Sequence, residues 1–268
     1  TQDIVAFDTA QVAALSTDQI GALSTGHIRA LGTEDIQAMS TKQLVSFSPA
    51  QMGALETADI AVLKTAQIAA FDPSQIAGLS SLSVIALTTA QVAALTSAQV
   101  AAMTESQIRA LETADFAAMK TGQVAALDAS QIGWMGTDDI AALSAAQVKV
   151  FSTSQIEALT TDKIRALETE DVASLGTAQL ASFSTAQLAA LGTEDFAALK
   201  SSQITSIAAD RLAGLGTDDI LALSTTQIAA FTTDQMRALG TSQIVALETA
   251  DFAALKSSQV AALETSQI

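Results

Sequence analysis

One eight-residue phrase recurs through all 268 residues without an insertion or deletion. From Asp8 it reads Asp-Thr-Ala-Gln-Val-Ala-Ala-Leu, continues from Ser16 and Ser24, and stays in step to Glu264. So short a repeat has no core of its own. It can bury an apolar face only against neighbouring repeats, which confines the chain to a solenoid or a fibre.

With Asp8 at position one, positions five and eight are apolar throughout, as in Ile20 and Leu23, Ile28 and Leu31, or Phe196 and Leu199. Phe116, Phe196 and Phe252 all stand at position five and are expected in the core. Position six is mixed, with Arg29, Gln37, Lys149 and Glu157, and is expected to face solvent. In one continuous α-helix eight residues advance roughly 800°, about 80° past two turns. The apolar stripe would wind around such a helix, so the helix must break once per repeat.

The residues supply the break. Ser or Thr at position one with Gln at position four is a capping box, as in Ser16 to Gln19 and Ser184 to Gln187. Pro49 and Pro73 both follow an N-cap residue, at the first helical position. Repeats with Glu56 or Lys64 at position one are expected to cap from Thr57 or Thr65 instead. Gly32, Gly136 and Gly216 suit a left-handed C-terminal residue of the preceding helix. Ala, Leu and Gln favour the short helix between breaks. The rival is a β-solenoid with one strand per repeat, but β-branched residues sit mainly at positions two and five and no period-two alternation exists.

A longer period overlies the first. Asp replaces Gln at position four in Asp3, Asp35, Asp59, Asp115, Asp139, Asp171, Asp195, Asp219 and Asp251. Apart from one gap of seven, these are three or four repeats apart. The segment from Glu112 (ETADFAAM) returns at Glu248 (ETADFAAL), 136 residues or 17 repeats later. Both spacings fit about 3.4 repeats per turn. The expected fold is therefore all-α: a superhelix of very short helices, one per repeat, with Asp recurring on one edge. It is expected as a single solenoid over residues 1–268 with an internal duplication of 1–136 and 137–268. Because the sequence starts and stops inside a repeat, it is expected to be a segment of a longer array.

The balance of 12 Lys and Arg against 28 Asp and Glu, net −16, disfavours nucleic acid and anionic membrane surfaces as partners. A polar block in every repeat prevents any run long enough to insert in a bilayer. With no Cys, no Tyr and a single His, the usual nucleophiles and proton carriers are almost absent, and no enzyme is expected.

The Asp edge is the one constellation with metal chemistry. Read as a calcium ladder, Asp35, Asp59, Asp115, Asp139, Asp171, Asp195, Asp219 and Asp251 would be joined by Glu34, Asp138, Glu170 and Asp218. Read as a salt-bridged seam, they pair with Arg29, Arg109 and Arg165 six residues before, or Lys64, Lys120, Lys200 and Lys256 five residues after, an Asp. The cations track the Asp pattern, which favours the seam and leaves no firm metal site. No other cofactor is expected. The Thr array at position two invites an ice-binding reading, which needs a β-solenoid to set the Thr in flat rows. His27 stands alone at a Gln position and reads as a surface variant. Trp134, the one bulky residue at position seven, is a candidate contact for another chain or a local packing residue.

The Thr-x-Gln-Ile-x-Ala-Leu phrase resembles octapeptide-repeat arrays of very large secreted or cell-surface proteins of Gram-negative bacteria, used as adhesin stalks. The resemblance implies an extracellular or cell-surface location and a structural role: a stalk or filament segment that self-associates. The alternative is a calcium- or partner-binding module of an adhesin.

Overall fold

The structure, a computed structural model, describes residues 6–268; Asp3 lies outside them. Each repeat forms one short helix, as in Thr57–Val62, Thr65–Ala70 and Pro73–Gly78, and the described residues contain no strand. The β-solenoid, and the flat Thr rows it would give, are therefore excluded. The solenoid of short helices is the observed fold.

The break between helices takes two extended residues. Leu63 at position eight (φ −65°, ψ 140°) ends one helix, and Lys64 at position one (φ −75°, ψ 148°) opens the next. No described residue has positive φ. Two expectations are thereby corrected. Gly32, Gly136 and Gly216 are not left-handed C-terminal residues but extended N-caps, with φ of −77°, −74° and −68°. The Glu56 and Lys64 repeats keep the same register as the others, with Thr57 and Thr65 inside the helix. Position one tolerates Ser, Thr, Gly, Glu and Lys because an extended residue demands no special conformation.

The chain divides into two compact units, Thr1–Ala142 and Leu143–Ile268. In each, helices pack against those three repeats away. Thr89–Ala94 meets Thr113–Ala118 in the first unit, and Ala145–Val148 meets Thr169–Ser174 in the second. Hydrogen bonds from position four reach back four repeats, from Gln99 to Phe71 and from Gln187 to Leu159. Neighbours at three and at four repeats mean that each unit winds with between three and four repeats per turn, as the Asp spacing required.

Positions five and eight form the core: Ile60 and Ile68 are fully buried, and Leu63 and Leu79 nearly so. Burying such a side chain is worth about 1.5–3 kcal/mol, and helices of four to six residues have no other means of persisting. Position six is exposed at Arg29, Gln37, Lys149 and Glu157, as expected. Phe116 and Phe196 are buried, but Phe252 is 42% exposed and is not core. Backbones approach closely at Pro49. A Cβ on Gly78 would fall 2.5 Å from the Pro49 carbonyl oxygen, so only Gly lets Pro49–Met52 and Pro73–Gly78 approach so closely.

Candidate functional site

Position four organises the whole array. The Gln99 Oε1 accepts the Thr96 N–H at 2.7 Å, which closes the capping box. Its Nε2 donates to the carbonyls of Ile68 and Phe71, both at 2.8 Å, at the C-terminus of the helix four repeats back. One amide thus caps two helices: the start of its own and the end of a neighbour one turn below. The pattern recurs at Gln51, Gln107, Gln187, Gln227 and Gln235. These glutamines are buried, yet no buried side-chain nitrogen or oxygen among the described residues lacks a partner. Unsatisfied carbonyls at a buried helix end are costly, and this ladder removes that cost turn after turn.

The Asp edge is built differently. An Asp carboxylate has no proton to donate to the carbonyls four repeats back. One oxygen accepts the N-cap N–H: Asp35 from Gly32, Asp59 from Glu56, Asp115 from Glu112, Asp139 from Gly136. Asp171, Asp195, Asp219 and Asp251 do the same with Glu168, Gly192, Gly216 and Glu248. At several of these positions a Thr three repeats back donates to the carboxylate as well. The Thr33 hydroxyl donates to Asp59 at 3.0 Å, Thr113 to Asp139 at 2.8 Å, and Thr169 to Asp195 at 2.8 Å.

Successive carboxylates are thus separated by threonines rather than gathered, and among the described residues no group of three or more His, Cys, Asp or Glu side chains could hold a metal ion. Glu34, Asp138, Glu170 and Asp218 point to solvent. The salt-bridged seam is also corrected: among the described residues, no edge Asp makes an ion pair. The ion pairs that form run within single helices, Arg109 with Glu105, Arg165 with Asp162 and Arg237 with Asp234. The break between two helices lies between Arg29 and Asp35, and Arg29 is left on the exposed face. Burial pushes the carboxyls of Asp59, Asp115, Asp171 and Asp219 above the usual range, against the lowering effect of the N-cap N–H.

His27 Nδ1 takes the place of Gln Oε1, accepting the Ser24 N–H at 3.2 Å. It is a capping variant, half-buried rather than fully at the surface. Trp134 ends the helix Ala129–Trp134 and is half-buried.

Arg211 was missed. It occupies position four of a repeat whose position one is Ala208, so both halves of the capping box are gone. Its Nη1 donates to the carbonyls of Ala181 and Phe183 at 2.5 and 2.7 Å, doing for that helix end what Gln does elsewhere. Beside it an open cavity of about 450 Å³ is lined by Glu157, Thr160, Thr161, Ser182 and Ser184. The signal was in the sequence: Ala, Arg and Gly at positions one, four and seven depart together from the consensus.

The ALTTAQ repeat family matches residues 1–33, 28–60, 52–89, 74–105, 83–113, 108–145, 135–169, 164–201, 212–249 and 244–268. The phrase itself stands at residues 86–91. No curated protein matches the chain. With nearly all of its length matched, the chain belongs to the ALTTAQ repeat family.

Proposed function

We propose that this ALTTAQ repeat chain is a spacer, a stalk or filament segment whose work is to supply length and stiffness outside the cell or at its surface. The observation that carries the reading is the range of the contacts. Within each compact unit, helices pack three repeats away and hydrogen-bond four repeats away, so repeats are added or removed without altering those already in place. Nothing in such an array gathers acid–base or nucleophilic groups, and no helix of the described residues is long and apolar enough to cross a membrane. The resemblance to surface arrays of Gram-negative bacteria supports the extracellular setting, and net −16 keeps a repetitive surface soluble.

Small-angle scattering tests the reading. Variants lengthened or shortened by whole repeats are expected to change in maximum dimension in proportion to repeat number, with helical content per residue constant. A dimension independent of repeat number, or collapse on losing a few repeats, would overturn it.

A further inference from the structure

Three observations meet at the repeat beginning at Ala208. The family pattern matches the chain on both sides but not residues 202–211. The repeat has no capping box, as in the repeats of Ser80 and Thr160, and unlike those two it has no N-cap side chain to accept an N–H either. An open cavity of about 450 Å³ lies against its Arg211. Arg211 keeps the two carbonyl contacts that Gln makes elsewhere and adds a guanidinium edge that those contacts do not use.

The lining is rich in donors. The Arg211 Nη1 is committed to two carbonyls, while Nε and Nη2 have no partner among the described residues. The Ser184 hydroxyl oxygen accepts the Gln187 N–H and the Thr160 hydroxyl oxygen accepts the Lys163 N–H, which leaves both hydroxyl protons uncommitted. Thr161 has its whole hydroxyl free. Ser182 donates to the Gln179 carbonyl, and Glu157, the one carboxylate in the lining, makes no ion pair with Arg211. Leu159 and Ala186 supply the apolar part of the wall.

From this we propose that the cavity binds a small hydroxylated carboxylate of the hexuronic acid class. The guanidinium edge pairs with a planar carboxylate through two parallel hydrogen bonds. The free hydroxyl protons and Glu157 meet the ligand's ring hydroxyls as donors and acceptor, and Leu159 and Ala186 face its carbon skeleton. A single guanidinium in a chain of net −16 suits a monoanion better than a doubly charged phosphate. The site stands independently of the spacer reading.

The test compares the whole chain with Arg211→Gln, which restores the family residue and its two carbonyl hydrogen bonds. Both are titrated with glucuronate and galacturonate, and separately with glucose, acetate and sulfate, following the backbone amides of Thr160, Thr161, Ser182 and Ser184 by NMR. Saturable binding of a hexuronate, at least about tenfold weaker for glucose and acetate and about tenfold to a hundredfold weaker in the variant at an unchanged melting temperature, is the expected result. Absence of saturable hexuronate binding, equal binding by Arg211→Gln, or sulfate binding as tightly as the hexuronates would each overturn the proposal, the last meaning an adventitious ion only.

Discussion

If the glutamine ladder holds successive turns together, replacing one rung by its isostere must be far worse than replacing a residue that only caps. Gln99→Glu is the sharpest case. Gln99 is fully buried, with its Oε1 on the Thr96 N–H and its Nε2 on the Ile68 and Phe71 carbonyls. The new carboxylate keeps the first contact but turns a lone pair towards both carbonyls. It escapes by taking up a proton, which at pH 7 costs about 4 kcal/mol for a carboxyl whose free value is near 4.3. Even then one hydroxyl serves only one of the two carbonyls, and the lost hydrogen bond adds about 1 kcal/mol. The expected loss is about 5 kcal/mol at pH 7, shrinking to about 1–2 kcal/mol near pH 4.5. The sign follows from linkage: the new group's folded-state pKa lies above its unfolded value, so its contribution is intact in acid and is lost as pH rises through the folded value.

Gln19→Glu is the internal control. Gln19 is exposed, caps Ser16 at 2.8 Å, and its Nε2 meets no carbonyl among the described residues. It should change stability by less than about 1 kcal/mol. Denaturant titration at both pH values, with hydrogen exchange of residues 64–71 and 96–103, measures the difference. Equal stability of the two variants at pH 7 would refute the ladder as the link between turns.

Acid should stabilise this protein. Asp59, Asp115, Asp171 and Asp219 have folded-state pKa values raised by burial. Their contribution is therefore complete below about 3.8 and is lost as pH rises through the higher folded values. The melting temperature should rise from pH 7 towards pH 4 at constant ionic strength, and the joint Asp→Asn replacement of these four should flatten the profile; a falling melting temperature contradicts the assignment. Gly78→Ala should cost about 1–3 kcal/mol, because its Cβ meets the Pro49 backbone and backbone cannot swing aside. Gly133→Ala, with nothing within 4 Å and a helical position, should gain about 0.5–1 kcal/mol. Calorimetry of the pair checks both, and equal shifts would mean that the two prolines' helices do not pack as described.

The eight-residue period made the helix break, the buried positions five and eight and the pitch of between three and four repeats legible. Each follows from local capping or from which residues recur at a fixed interval. What sequence reasoning placed wrongly depends on reach. Arg29 stands six residues before Asp35, but the break between two helices lies between them and leaves Arg29 facing solvent. Gly32 looks like a helix end, but two extended residues turn the chain without positive φ.

The role of position four was also written in the sequence, in what is missing from it. A capping box accepts Glu as readily as Gln, since only an oxygen is required. Yet no repeat here has Glu at position four, while Asp stands there repeatedly. Capping alone cannot produce that contrast, because both acids cap. A long side chain at this position reaches the carbonyls of the turn below and must arrive with protons. Gln brings them, and so does Arg211. Glu would arrive with a charge and no donor. Asp turns its carboxylate to the N-cap N–H and, at Asp59, Asp139 and Asp195, takes a hydroxyl from Thr33, Thr113 or Thr169. The residue excluded from a position thus reports a contact four repeats away that the residues present there do not reveal by themselves.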